Sequence, residues 1–287
     1  MRKGFRKMRV KRRSKCVDIL IFMLLAVIGI FMALPFVYSI VQSLKPMEEI
    51  FLFPPRFFRV NHPTLDNYRM LSQLTGNLWV PFGRYLFNSI FTSVVGTAAH
   101  VLVSSMAAFV LAKNKFPGSK FLFELVVQAL LFTGPVTAIP LYVIMAKAGM
   151  IDTYWVMILP AVAAPLGLFL MKQNMMQIPD AVLEAAKIDG AGTIASFVQI
   201  AMPMVKPAWM TLIIFAFQGL WNGSYSGYVY DEALKALPTV LNQISTAGIS
   251  RAGVGAAVSV VLLIPPVLVF LISQSNVIET MAHSGIK

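Results

Sequence analysis

From Ile19 to Leu44 the chain runs 26 residues without a charged side chain, and apolar stretches of similar character recur along its length. About 20 residues, rising 1.5 Å each as a helix, cross the roughly 30 Å of hydrocarbon in a bilayer. Lipid offers no partner to backbone N–H and C=O groups, so a run this long must satisfy them within itself, as a helix. Hydropathy predicts six such spans, at about 17–43, 85–112, 121–146, 153–171, 207–229 and 253–277. The expected fold class is an all-α membrane protein with six transmembrane helices. Only 13% of the residues are charged, against about 25% in soluble domains, and no soluble domain fits between the spans.

The formal charge of +12 would suit nucleic acid, but nine of the 24 basic residues crowd into the first fifteen positions, directly before the first apolar run. A basic cluster there holds the N-terminus on the cytoplasmic side, so no nucleic-acid partner is expected; a role in binding lipid or a partner is the alternative. The run after it is too long for the 7 to 15 apolar residues of a secretory signal, which favours an uncleaved helix. Lys and Arg then distribute sixteen to one side and eight to the other, placing both termini in the cytoplasm. Cys16 is the only cysteine, which excludes an internal disulfide framework and any multi-cysteine metal site.

Two segments on the predicted outer side stand apart. The stretch from Lys45 to Arg84 holds Pro46, Pro54, Pro55, Pro63 and Pro81, a density that breaks helices and predicts a loop with short elements. The stretch from Asn222 to Arg251 carries Tyr225, Tyr228, Tyr230, Asp231 and Glu232. These side chains could touch a solute or a protein that delivers it, or form an interfacial aromatic belt. Prolines within the spans, at Pro35, Pro135, Pro140, Pro160, Pro165, Pro265 and Pro266, predict kinks.

Between the fourth and fifth spans lies a segment too polar to cross the bilayer, from Gln177 to Gly192. Pro179 suits a first helical turn, Asp180 and Glu184 suit its positive end, and Gly190 suits a left-handed stop, so a helix of about ten residues is expected. Val182, Ala185, Ala186 and Asp189 recur at helical spacing, and alanines keep that face thin enough to enter a groove. Glu184 is available for a charge-assisted contact to a partner's Arg or Lys. A surface helix lying on the membrane is the alternative.

The string Glu184-Ala-Ala-Lys-Ile-Asp-Gly-Ala191, followed by Phe197 and by Ile200-Ala-Met-Pro203, resembles the cytoplasmic "EAA" loop of permease subunits in binding-protein-dependent ABC importers. It is most similar to the carbohydrate, maltose-type branch, with Met202 where that branch usually has leucine. The resemblance implies that Glu184, Ala185, Ala186, Asp189 and Gly190 form a coupling helix, within about 179–192, seated in a cleft of a separate ATPase. Hydropathy and charge set the domain plan: a basic cytoplasmic tail at 1–16, a six-helix transmembrane domain at 17–278 and a cytoplasmic tail at 279–287. The partners the resemblance implies are a second, homologous permease subunit in a heterodimer, two ATP-binding cassette subunits, an extracytoplasmic solute-binding protein and membrane lipid, in the inner membrane of a bacterium. No cofactor is expected in this chain; ATP and Mg would be bound by the partner ATPase.

Trp221-Asn222 resembles a Trp-Asn pair of the same branch, and with Tyr225 it forms the candidate solute pathway. An indole face and an amide suit a mono- or oligosaccharide, by stacking and hydrogen bonding, although an interfacial tryptophan is the other reading. The ending Ser284-Gly285-Ile286-Lys287 is similar to a Gly-Ala-Val-Lys-type tail that enters the ATPase interface.

An ATPase site would need a phosphate-cradling loop ending in Lys followed by Ser or Thr, and no lysine here is followed by either, so no enzyme activity is expected. A membrane enzyme would need converging ionisable groups, yet His62, His100 and His283 fall in three separate regions. An ion-gradient-driven transporter would place Asp, Glu or Arg near the centre of a span, and apart from Asp18 and Glu124, both near predicted cytoplasmic ends, the spans hold none; helix-to-helix hydrogen bonding is the commoner use of a membrane-embedded His100. An importer permease for a non-sugar solute is the remaining alternative.

Overall fold

The computed structural model describes the backbone of residues 15–284 other than 133 and 247, and the side chains of 17–274 other than 133, 247 and 249. Most of the basic tail and the last residues of the C-terminal tail lie outside the described residues. Twelve helices of eight or more residues organise the described chain: α1 (Lys15–Ser43), α2 (Asp66–Gly76), α3 (Phe82–Lys113), α4 (Ser119–Ala129), α5 (Gly134–Lys147), α6 (Trp155–Val162), α7 (Pro165–Met175), α8 (Asp180–Ile188), α9 (Thr193–Met204), α10 (Lys206–Trp221), α11 (Leu237–Ser245) and α12 (Ala252–Ser284).

Four stretches are each long and apolar enough to cross a membrane: Val17–Ser43, Phe82–Lys113, Trp155–Met175 and Ala252–Gln274. The predicted third span is not a single straight helix, and the predicted fifth begins just past a bend. The chain bends by 112° between α4 and α5 and by 79° between α9 and α10, and each bent pair taken together has the length and apolarity of a span. At the second bend Val205 leaves the helical region, with φ −101° and ψ 20°, and Pro207 sits in the first turn of the new helix, where its missing N–H costs nothing. The same helix stops at Trp221 rather than continuing to 229, because Asn222, Gly223, Ser224, Ser226 and Gly227 favour turns over helix.

Helix α3 is the centre of the fold and packs against α6, α7, α10 and α11. Its buried face is built from small and polar side chains, among them Asn88, Ser89, Thr92, Ser93, Gly96, Thr97, His100, Ser104 and Ser105. Lipid tails are as apolar as leucine, so helices in a bilayer associate by close packing of small residues rather than by the hydrophobic effect. At one end of α3 the apolar cluster of Phe109, Met171, Met175, Ile178, Leu183, Val205 and Leu212 joins α3, α7, α8 and α10. At the other end Leu71, Tyr85, Leu237, Leu241, Val254 and Val258 join α2, α3, α11 and α12. Helix α1 runs along α12 and turns apolar side chains such as Phe22 and Phe31 outward.

Candidate functional site

At the α8 end, the polar segment forms the short helix expected of it. Its stop is a left-handed glycine: Gly190 has φ +85°, while Gly190 N–H donates to Lys187 O at 3.1 Å and Ala191 N–H to Ala186 O at 2.8 Å. This pair of bonds satisfies two carbonyls that a helix end otherwise leaves free, and it needs a residue without Cβ at the turn.

Burial sorts the faces of α8. Leu183 points inward and is 7% exposed within the apolar cluster, and Ala186 is half-buried. Glu184, Ala185, Asp189 and Gly190 are exposed, and among the described residues Glu184 has no ion-pair partner. Ile188 is 86% exposed and Ile194, just beyond the stop, is 79% exposed. Sequence reasoning passed over both isoleucines. The available signal was an apolar residue set between Lys187 and Asp189, four positions on from Glu184 on the same helical face.

The start of α8 is clamped to α3. Lys113, the last residue of α3, donates to Ile178 O at 2.5 Å and to Asp180 Oδ1 at 2.7 Å, with its own side chain 7% exposed. The hydrogen bond from Lys113 and its positive charge hold the Asp180 carboxyl below the usual carboxylate range.

At the α11 end the structure sends the three candidate pathway residues to three destinations. Trp221 is buried, stacks on Phe217 with ring centroids 5.9 Å apart, and donates its indole N–H to Leu262 O at 3.1 Å, so its ring face is taken up in helix packing. Asn222 is exposed and lines a polar cleft of about 250 Å³ together with Ser224, Ser226, Thr239, Asn242 and Gln243. Tyr225 lines a mostly apolar cavity of about 340 Å³ with His100, Met157, Leu212, Phe215 and Leu220. Its hydroxyl donates to Leu220 O at 3.3 Å, and burial pushes the phenol up to about 12.

His100 is buried on α3, with Nδ1 3.1 Å from Val162 O at the break between α6 and α7. Its ring and the Ser104 hydroxyl fill the space that a side chain at Gly167 would need. The ring thus serves helix-to-helix hydrogen bonding at a broken helix end.

The segment that leads into α11, whose residues wall the polar cleft, is fastened to the far end of α3. Asn88 donates through Nδ2 to Ala233 O at 2.8 Å and to Lys235 O at 3.0 Å, and accepts from Tyr154 Oη at 2.7 Å. Tyr85 Oη donates to Glu232 Oε1 at 3.0 Å, and Leu237 N–H donates to Ser89 Oγ at 2.7 Å. Asp152 holds the neighbouring stretch, accepting from the backbone N–H groups of Tyr230 and Asp231 at 2.9 and 2.8 Å.

No protein-family model matches the chain. Protein LplC of Bacillus subtilis (strain 168) is 33% identical to it over 241 residues, covering 82% of this chain and 77% of that protein. The polygalacturonan/rhamnogalacturonan transport system permease protein YtcP of the same organism is 30% identical over 285 residues, covering 92% of this chain and 96% of the relative. In fold, the chain is similar to the crystal structure of a bacterial ABC transporter involved in the import of the acidic polysaccharide alginate. The TM-score is 0.77 at 19% identity, over 93% of this chain and 98% of that one.

Proposed function

We propose, for a chain that belongs to the permease subunits of sugar ABC importers, that it carries a mono- or oligosaccharide across the bacterial inner membrane by alternating access, driven by a separate ATPase. The observation that carries this reading is the character of α8: one inward leucine, Leu183, roots it in the core of the spans, while Glu184, Ala185, Ile188 and Asp189 face outward. A helix so exposed, at the end of the bundle where Lys113, Lys115, Lys120, Lys172, Lys187 and Lys206 stand at or near helix ends, suits a cleft on another protein better than open water.

In this reading both termini and α8 are cytoplasmic, and Glu184, Ala185, Ala186, Asp189 and Gly190 form the coupling surface. Glu184 would meet a cationic side chain of the ATPase, and Ile188 and Ile194 would add apolar contact. Two ATP-binding cassette subunits hold ATP and Mg, and their ATP-driven closure pulls α8. A second, homologous permease subunit completes the pathway, and an extracytoplasmic binding protein delivers the solute. The bends flanking α4 and α9 and the prolines of α6 and α12 supply the irregular points about which spans can rock.

The polar cleft supports a carbohydrate as the solute, since amides and hydroxyls offer the paired donors and acceptors that sugar hydroxyls need. Asn222 and Tyr225 mark the wall of the route, with Trp221 holding that wall in place. The test is a cross-link from Ile188→Cys in the assembled complex, with uptake measured in sealed vesicles. Capture of the ATPase, together with uptake that needs ATP and survives an ionophore, is the expected result. Labelling of lipid alone, or uptake abolished by the ionophore while ATP is present, would overturn the reading.

A further inference from the structure

Among the described residues, helix α3 is the one long helix joining the two ends of the bundle without an internal proline. Its 32 residues span about 48 Å at 1.5 Å each, whereas α1, α5, α6 and α12 contain Pro35, Pro140, Pro160, and Pro265 with Pro266. A proline-free helix packed on several sides moves as one body. Its final residue, Lys113, makes the only ion pair among the described residues that joins positions far apart in the chain; the other two lie within single turns. At the opposite end Tyr85, Asn88 and Ser89 hold segment 232–237, which leads into α11 and the polar cleft.

We propose that Lys113 is the positioning residue that locks α8 to α3, so that a pull on α8 is carried along α3 to the polar cleft at the other end. Leu183 alone would transmit force through an apolar contact that can slide. A lysine that grips both a carbonyl before the helix and a carboxylate in its first turn fixes the helix in position and direction. The small buried face of α3 lets the rod shift against its neighbours without large side chains to unlock. Lys115 lies close enough for its charge to act on Asp180, but Lys113 alone makes the hydrogen bonds.

This inference rests on the importer reading, and its test keeps the two apart. The complete complex is assembled with wild type, Lys113→Asp, Lys113→Arg and the swapped pair Lys113→Asp with Asp180→Lys, and sugar moved per ATP hydrolysed is measured in vesicles. Ser226→Cys in the cleft is added to each for labelling with and without ATP. Lys113→Asp should lower sugar per ATP by about tenfold and abolish the ATP-dependent change in labelling. Lys113→Arg should keep both, and the swapped pair, which restores the ion pair but not the bond to Ile178 O, should recover part of both. Lys113→Met carries the same expectation as Lys113→Asp and takes its place if that variant does not assemble. Normal coupling in the charge-removing variants, or a Lys113→Arg variant as uncoupled as Lys113→Asp, would overturn the role of Lys113. Wild-type uptake that does not depend on ATP would instead overturn the importer reading itself.

Discussion

The indole N–H of Trp221 donates to the carbonyl of Leu262 at 3.1 Å, the very carbonyl that Pro266 leaves without its helical partner. In a helix, residue 266 would donate to residue 262, and proline has no N–H to give. In lipid a bare carbonyl is costly, so a neighbouring side chain must supply the donor, and α10 ends with one in the right place. Trp209 plays the matching part at the α9–α10 bend, donating to Met202 O at 3.0 Å.

Trp221→Phe should therefore keep the stacking on Phe217 but lose the hydrogen bond. An intramembrane bond of this kind contributes about 1 kcal/mol, so the detergent-solubilised complex should melt a few degrees lower. Trp221→Ala should cost more, about 3–5 kcal/mol, because it also empties a buried site. Equal melting of Trp221→Phe and wild type would contradict the bond.

Gly167 faces His100 and Ser104 across the α3–α7 contact, with no room for a methyl group. Gly167→Ala is expected to cost about 1–3 kcal/mol by overpacking, read as lowered thermal stability of the complex. Adding His100→Ala should restore part of the loss, since the clash is with that ring. The two substitutions should thus be non-additive in a double-mutant cycle.

At Gly190, φ +85° excludes a β-branched side chain. Gly190→Val should strain the end of α8 by about 1–2 kcal/mol and turn Asp189 and Ile188 away from their present direction. Membrane insertion should persist while solute-stimulated ATP hydrolysis and uptake fall together. Unchanged stimulation would show that the stop of α8 has no part in coupling. Glu184→Lys should act in the same direction by repelling a cationic partner.

The pairing of Lys113 with Asp180 carries its own pH signature. The Asp180 carboxyl is held below its ordinary value of 3.8, first by the hydrogen bond from Lys113 and then by the charges of Lys113 and Lys115. A lowered carboxyl pKa means that the contribution is present above the ordinary value and fades only as pH falls through the lowered one. Sugar moved per ATP should therefore be flat between about pH 7 and pH 5 as far as this pair is concerned. A fall centred near pH 6 in wild type that vanishes in Asp180→Asn would contradict this assignment.

Much of the architecture was legible from one dimension. Bilayer thickness sets a length, so apolar runs such as Ile19–Leu44 announce spans wherever they occur. Backbone rules are equally local: Gly190 stops α8 as expected, while Pro179, expected in its first turn, is the residue just before it. The two bent spans were less legible. Hydropathy averages over a window, and that average hid the break between α4 and α5 and the run of turn-forming residues that ends α10 at Trp221.

What the sequence by itself determined, then, is whatever depends on a residue and its near neighbours: which stretches enter lipid, where the short polar helix starts and stops, and the absence of a phosphate-cradling lysine motif. Only the tertiary structure decided which distant groups meet. It took Trp221 into the packing of α10 on α12, left Asn222 at a polar cleft, and brought Lys113 to Ile178 and Asp180 across some sixty-five residues of chain. The physical reason is that a donor seeks whichever acceptor a proline or a helix end has left bare, and in a folded bundle that acceptor lies on another helix.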